Sequence, residues 1–104
     1  LLGPRTVDFM TIDHLVDIPV AQTGSRIMLP PGYGFGLGFA IKTAAGANAE
    51  PGSVGSYFWG GLAGTAFFVD PALDLFACLM IQAPNQRDYY RALFRHLVYA
   101  ALTD

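Results

Sequence analysis

The side chains that could perform nucleophilic catalysis are few, and they are not spaced as a catalytic set. An enzyme that forms an acyl-enzyme needs an activated hydroxyl or thiol, a base for its proton and an oxyanion hole. The serines are Ser25, Ser53 and Ser56, and none begins a Ser-x-x-Lys motif or is centred in Gly-x-Ser-x-Gly. The two histidines, His14 and His96, belong to different predicted helices. The sequence therefore predicts no complete nucleophilic site within these residues.

Metal and nucleotide chemistry have even less support in the sequence. No His-Glu-x-x-His motif, Cys/His cluster or Asp/Glu pair at ligand spacing occurs, so we predict neither a metal nor a cofactor. The glycines at 32, 34, 36 and 38 lack the Gly-x-Gly-x-x-Gly spacing of dinucleotide-binding loops, and no helical pattern follows them. The segment Gln22–Ser25 resembles a Lys-Thr-Gly motif without its lysine, and we reject it.

A tryptophan followed by two glycines, Trp59-Gly60-Gly61, is the remaining candidate for chemistry. Consecutive glycines within strand-forming sequence mark a bulge or a close approach to the backbone. An oxyanion hole needs only a backbone N–H directed at the developing charge, and glycines allow a substrate to come near that backbone. These residues alone fit a bent strand beside a core tryptophan equally well.

Composition limits the chain to one small domain with unusually many apolar residues. Of its 104 residues 53% are hydrophobic and only 13% are charged, whereas soluble domains average about 25% charged residues. The net charge of −2 without a basic cluster argues against nucleic-acid binding. No apolar run approaches the roughly 20 residues of a membrane span.

Periodicity predicts several short strands with a helix at each end of the chain. Pro4 favours the start of a short helix, and the alternation from Gly32 to Ile41 predicts one strand with a bare glycine face against which another layer packs closely. Asp17–Pro31 and Lys42–Pro51 are predicted loops. The predicted elements are a helix over about 4–15, strands over about 33–41, 54–59, 64–70 and 73–82, and a helix over about 86–103.

The last strand and the last helix suggest that a layer is missing. Leu73–Ile81 is apolar at nearly every position, which predicts burial on both faces and an inert, buried Cys78. In the final helix Asn85 is the predicted N-cap. An apolar stripe is predicted to face the sheet, and Arg87, Arg91 and Arg95 the solvent; a partner-binding role for the arginines is the alternative. The stripe comprises Tyr90, Leu93, Phe94, Leu97, Val98, Ala101 and Leu102.

Several separated motifs resemble one family in the same order. They are Leu1–Val7, Tyr33–Phe39, Gly55–Thr65, Phe67–Pro71 and Asp74-Leu75. Together they resemble the C-terminal part of the serine β-lactamase-like superfamily, in the subgroup of class C β-lactamases, family VIII carboxylesterases and related transesterases. The resemblance covers nearly all of the chain. It implies an α/β (α+β) fold, in which an antiparallel sheet carries a C-terminal helix and a second helical domain lies alongside.

The resemblance also assigns roles to residues. Family members use a Ser-x-x-Lys nucleophile, a tyrosine-containing second motif and a Lys-Thr-Gly third motif. Trp59, Gly60 and Gly61 take the third-motif positions, and Leu62 would provide an oxyanion N–H. Trp59, Gly60 and Tyr57 would bind substrate. Because an indole cannot pair with a substrate carboxylate as lysine does, Trp59 favours an esterase or transesterase over an efficient β-lactamase.

We therefore expect the C-terminal segment of a serine hydrolase that forms an acyl-enzyme on small ester or amide substrates. The first two motifs would lie upstream, in the part that carries the nucleophile, and the 104 residues by themselves should be inactive. The alternative is a catalytically inactive interaction module of the same fold, or one chain of a two-chain assembly.

Overall fold

The computed structural model describes residues 1–16, 18 and 29–103. Here five strands form one antiparallel sheet, in the order β1-β2-β3-β4-β5, and a long helix packs on it. This confirms the predicted fold class. Within the described part no helix is long and apolar enough to cross a membrane. The elements are α1 (Pro4–Met10), β1 (Tyr33–Phe35), β2 (Ala40–Lys42), β3 (Tyr57–Gly60), β4 (Ala66–Asp70), a 3₁₀ turn (Pro71–Leu73), β5 (Leu75–Leu79) and α2 (Arg87–Ala100).

The single strand predicted over 33–41 is wrong, because the glycine-rich segment folds into a hairpin. Tyr33 pairs with Lys42 and Phe35 with Ala40, so β1 and β2 run antiparallel. The turn is closed by the Gly36 N–H, which donates to the Phe39 carbonyl at 2.8 Å. Gly38 has φ +106°, a conformation that other residues rarely adopt. The alternating pattern therefore continues through a turn that its glycines make possible.

The predicted close layer on the glycine face is formed by the segment that follows α1. A Cβ at Gly34 would lie 2.1 Å from the Asp13 carboxylate, and one at Gly36 would lie 2.3 Å from the Met10 carbonyl oxygen. The Asp13 carboxylate also accepts hydrogen bonds from the Leu15 and Phe35 N–H groups. These bonds bring the chain alongside β1, and α1 consequently ends at Met10 instead of near residue 15. The rejected motif over Gln22–Ser25 lies outside the described residues.

Helix α2 places its arginines, rather than its whole apolar stripe, toward the sheet. Phe94 and Val98 are half-buried, but Leu93 and Leu97 are exposed. Arg95 is only 9% exposed, so the prediction of a solvated arginine face is wrong. The helix begins after Gln86, which makes no side-chain cap, and Asn85 lies in the preceding turn rather than at the N-cap.

Arg95 is held over the sheet by one carboxylate and two aromatic rings. Its Nη1 donates to Glu50 Oε2 at 2.9 Å and to the Tyr33 hydroxyl at 3.1 Å. Its guanidinium carbon lies 4.7 Å from the Phe58 ring centroid and 5.1 Å from that of Phe68, within cation–π range. Burial raises the pKa of Tyr33, although the positive charge of Arg95 opposes this effect. The cation is thus paired, and the sequence pattern alone does not reveal its partners.

Two apolar faces are open in the described part of the chain. One is the outer face of α2, with Leu93 and Leu97. The other is the far face of β5, where Phe76 is 75% exposed and Cys78 is also exposed. Residues of β5 alternate between half-buried and exposed. The predictions that this strand is buried on both faces and that Cys78 is buried are therefore not met by the described residues.

The end of β4 is fixed by a buried carboxylate. Asp70 has no exposed surface, and its Oδ2 accepts hydrogen bonds from the Ser53 N–H at 3.0 Å and the Tyr99 hydroxyl at 2.7 Å. Burial raises the pKa of Asp70, but these hydrogen bonds outweigh burial, and the net pKa is lowered. Burial and the adjacent carboxylate raise the pKa of Tyr99. Asp70 therefore joins α2, β4 and the loop before β3 in its ionised form.

Replacing Asp70 should destabilise the fold in a pH-dependent manner. Asp70→Asn should lower the free energy of unfolding by about 1–3 kcal/mol at pH 7, because charge-assisted hydrogen bonds are lost. A carboxyl with a lowered pKa stabilises the fold above its unfolded-state pKa of about 3.9 and loses this effect as the pH falls through the folded-state pKa. In urea denaturation, the difference from wild type should shrink as the pH is lowered below about 4.

Asp74→Asn is the matched control for this measurement. Asp74 is exposed, and it has φ +50°, which asparagine also tolerates. We expect little change from this substitution at neutral pH. An equal loss in both variants, or a loss in Asp70→Asn that does not vary with pH, would contradict the role assigned to Asp70.

Candidate functional site

The predicted site residues lie where β3 ends and turns into β4. Trp59 pairs with Phe67 and Gly60 with Ala66 at the end of the ladder. The Gly61 N–H then donates to the Thr65 carbonyl at 2.8 Å. The Gly64 N–H donates to the Gly61 carbonyl at 3.2 Å, which closes a β-turn over Gly61–Gly64. Gly64 has φ +120°, as expected of a glycine that ends a three-residue hairpin loop.

Leu62 and Ala63 are the turn residues whose backbone N–H groups make no hydrogen bond within the described part of the chain, and Leu62 lines the cleft described below. The structure records no hydrogen bond from the Leu62 N–H to any residue that it describes, and the leucine is 79% exposed. The Gly61 N–H, in contrast, is occupied by Thr65. The β2–β3 register stops at Phe58. On that side, Gly60 and the turn that follows have no paired strand among the described residues.

A cleft of about 420 Å³ lies between this turn and the first turns of α2. It brings together four of the five predicted site residues: Trp59, Gly60, Gly61 and Leu62. Tyr57 does not line the cleft. Its ring packs on Phe39 instead, with centroids 5.1 Å apart. The other residues that line the cleft are Phe58, Arg87, Asp88 and Arg91.

The indole of Trp59 is held by an aromatic neighbour. Its ring meets Phe35 edge-on, with centroids 5.1 Å apart and an interplanar angle of 80°, a favourable aromatic geometry. Trp59 is half-buried and contributes an apolar wall to the cleft. Trp59 therefore forms one side of the cleft, and Phe35 of β1 supports its ring; its role in substrate binding remains a prediction.

Two arginines that the sequence interpretation placed in solvent reach the turn. Arg91 Nη2 donates to the Gly61 carbonyl and, at 2.9 Å, to the Thr65 carbonyl. Arg87 Nη1 donates to the Leu62 carbonyl at 2.9 Å. Their spacing of four residues shows that they share a helix face, but only the tertiary structure shows that this face meets the hairpin.

Gly60 allows this contact with Arg91. A Cβ at Gly60 would lie 2.7 Å from Arg91 Nη2 and 2.8 Å from its guanidinium carbon. The close approach expected at this glycine is therefore made in the structure by an arginine of the same chain. The cleft carries two guanidinium groups and the Asp88 carboxylate beside an indole, so charged groups and an apolar wall face the same space.

The hydroxyl and imidazole groups in the described residues do not form a nucleophile pair. Ser56 is buried, and Ser53 contributes its N–H to Asp70. His14 Nε2 lies 2.8 Å from the Phe9 carbonyl, and both ring nitrogens of His96 contact carbonyls. Ser25 lies outside the described residues. No group of three His, Cys, Asp or Glu side chains suited to a metal occurs in the described part. This arrangement leaves the Leu62 N–H without a partner among the described residues, next to a cleft that Trp59 lines.

Comparison with known proteins identifies relatives of this chain by sequence. No protein-family model matches the sequence. Two proteins of Mycobacterium tuberculosis, the uncharacterized protein MT1414 of strain CDC 1551 and protein Rv1367c of strain H37Rv, are each 31% identical over 85 residues. These residues are 79% of this chain and 21% of each relative. The chain thus spans about a fifth of the length of these relatives.

A solved structure extends the comparison to the fold. EstCE1, a hydrolase with promiscuous acyltransferase activity, superimposes with a TM-score of 0.79 at 28% identity. The match covers 94% of this chain and 24% of EstCE1. The five-stranded antiparallel sheet with its C-terminal helix is therefore similar to part of a hydrolase, and the chain is hydrolase-related in fold.

Proposed function

We propose that these residues form the oxyanion edge of a serine hydrolase that acts through an acyl-enzyme on esters or amides. The observation that carries the proposal is the Leu62 N–H, which has no hydrogen-bond partner among the described residues and lies beside a cleft. The similarity to EstCE1, which is a hydrolase with acyltransferase activity, supports it. The proposed parent polypeptide carries the nucleophilic serine and its base upstream of the segment.

The proposed reaction uses this edge twice. The serine oxygen bonds to the substrate carbonyl carbon while the base takes the proton of the serine hydroxyl. The carbonyl oxygen becomes an oxyanion, which accepts a hydrogen bond from the Leu62 N–H. The oxyanion collapses, the bond to the alcohol or amine breaks, and the leaving group takes the proton from the base. Water, or an alcohol in acyl transfer, then gives its proton to the base and attacks the acyl carbon, and a second oxyanion forms at the same N–H. When this oxyanion collapses, the bond to the serine oxygen breaks, the acid or new ester leaves, and the serine takes the proton from the base.

The open apolar faces support a larger parent domain. Leu93 and Leu97 on α2, and Phe76 and Met80 on the far face of the sheet, are exposed in the described part. Apolar surfaces of this kind mark regions that another part of the protein covers. We propose that the part carrying the nucleophile covers them. The alternative, an inactive interaction module or one chain of a two-chain assembly, would use the same faces without a serine at the cleft.

The first test separates an enzyme from an inactive module. The full parent polypeptide should be labelled by a fluorophosphonate. It should also hydrolyse p-nitrophenyl acetate, and labelling should abolish this hydrolysis. The segment alone should do neither, because among the described residues the lysine and histidine side chains contact backbone carbonyls and not Ser53 or Ser56. A parent that is folded but neither labelled nor active would favour the inactive module. Activity of the isolated segment that the inhibitor abolishes would refute the proposed division of the site.

Leu62→Pro tests the proposed oxyanion donor. Leu62 is the second residue of the β-turn, where proline is favoured, so this change removes the N–H with little strain. We expect kcat/KM of the parent enzyme to fall by about 10²-fold or more, as for the loss of other oxyanion donors. Leu62→Ala is the matched control. It shortens the side chain but keeps the N–H, so its kcat/KM should fall far less than that of Leu62→Pro. Equal kinetics in the two variants would exclude the Leu62 N–H as the donor.

Trp59 should direct the enzyme toward esters. Its indole offers no positive charge to the carboxylate of a β-lactam, whereas it can contact an apolar acyl group. The parent enzyme should therefore turn over short p-nitrophenyl esters with a higher kcat/KM than a chromogenic cephalosporin. Trp59→Lys should lower the ratio of kcat/KM for the ester to kcat/KM for the cephalosporin. Clearly faster turnover of the cephalosporin by the wild-type enzyme would contradict the assignment.

A further inference from the structure

We infer that Arg91 is a positioning residue that sets the direction and the donor strength of the Leu62 N–H. The inference rests on the proposed function, and it concerns a residue that does not itself touch the reacting atoms. Arg91 Nη2 donates to the Gly61 carbonyl. The Gly61 carbonyl and the Leu62 N–H are the two ends of one peptide group. A contact with one end therefore acts directly on the other.

Peptide geometry fixes the relation between these two ends. The chain has no cis peptide bonds among its described residues, and in a planar trans peptide the C=O and N–H point in opposite directions. Arg91 and the Gly64 N–H hold the Gly61 carbonyl toward the inside of the hairpin. The Leu62 N–H must then point away from the hairpin, toward the edge of β3 that β2 leaves unpaired.

Arg91 also restrains the turn at both ends. The same nitrogen donates to the Thr65 carbonyl at 2.9 Å, so one guanidinium joins the first and last residues of the loop. Arg91 forms no salt bridge with a carboxylate among the described residues. The salt bridge recorded there joins Arg95 to Glu50. Its charge is thus directed at these carbonyls. A donor on a carbonyl polarises the peptide and strengthens its N–H as a donor, since linked hydrogen bonds reinforce one another.

Arg87 provides a comparison within the same helix. Its contact is with the Leu62 carbonyl, which belongs to the next peptide group, between Leu62 and Ala63. That contact restrains the loop without fixing the Leu62 N–H. The effect proposed for Arg91 should therefore exceed the effect of losing Arg87, although both changes remove one positive charge from the cleft.

The experiment measures the parent enzyme with Arg91→Met, which keeps much of the side-chain volume and removes the donors. We expect kcat/KM for p-nitrophenyl acetate to fall by about 10- to 100-fold, less than on removal of an oxyanion donor. Phenylboronic acid, whose tetrahedral adduct places an oxygen in the oxyanion hole, should bind more weakly by a similar factor. Benzyl alcohol, which can occupy the cleft without forming an oxyanion, should slow fluorophosphonate labelling of Arg91→Met as much as it slows labelling of wild type; the labelling reaction has no acyl-enzyme to which the alcohol could add.

Three further variants complete the experiment. Arg91→Lys retains a donor and should recover part of the boronic acid affinity, and it replaces the methionine variant if that one does not fold. Arg5→Met removes a charge from exposed α1 and should leave all three measurements unchanged. Arg87→Met should weaken boronic acid binding less than Arg91→Met.

The outcomes separate this inference from the proposed function. If wild-type enzyme is neither labelled by fluorophosphonate nor active, the proposed function fails, and the inference fails with it. If wild type is active and Arg91→Met weakens boronic acid and benzyl alcohol equally, or weakens neither, Arg91 has no positioning role while the hydrolase proposal stands. A selective loss for the boronic acid supports both.

Discussion

The buried cation of Arg95 is the interaction on which the arrangement of helix and sheet depends. Its guanidinium pairs with Glu50 and lies over the rings of Phe58 and Phe68, which belong to two neighbouring strands. Because a buried charge without its partner is costly, α2 cannot rotate to bury Leu93 and Leu97 without losing this pairing. The rotation of α2 in turn places Arg87 and Arg91 over the β3–β4 turn. One ion pair therefore determines which side chains reach the candidate site.

The class of fold could be predicted from the sequence, because strand and turn signals act locally. Strands β4 and β5 lie within their predicted ranges and β3 ends one residue beyond its predicted range, with the glycines and Asp70-Pro71 between the strands. The glycine alternation before β2 was ambiguous in a physical sense, since a glycine suits both a bare strand face and a turn with positive φ. Its hairpin depends on the Asp13 carboxylate, which is distant in sequence and which no periodicity indicates.

The candidate site was only partly predictable from the sequence. The family resemblance placed Trp59, Gly60, Gly61 and Leu62 together, and one cleft holds all four. Tyr57 lies two residues before Trp59 in β3, but its ring packs on Phe39 and does not line the cleft. The arginine side of the cleft could not be predicted, because an amphipathic pattern gives the faces of a helix but not which face a buried ion pair selects. Every residue has a backbone carbonyl, so the sequence does not indicate which side chain will donate a hydrogen bond to a carbonyl of the turn.

The position of β5 at the end of the sheet has a consequence for handling the molecule. Among the described residues this strand has no neighbour on its outer side, so its main-chain groups there form a template for another strand. Phe76 and Met80 border that template. In a test tube, two copies of the segment could join their sheets side by side, and concentration-dependent self-association would then compete with docking of the rest of the enzyme. Reconstitution from separate pieces should therefore begin with dilute segment and an excess of its complement.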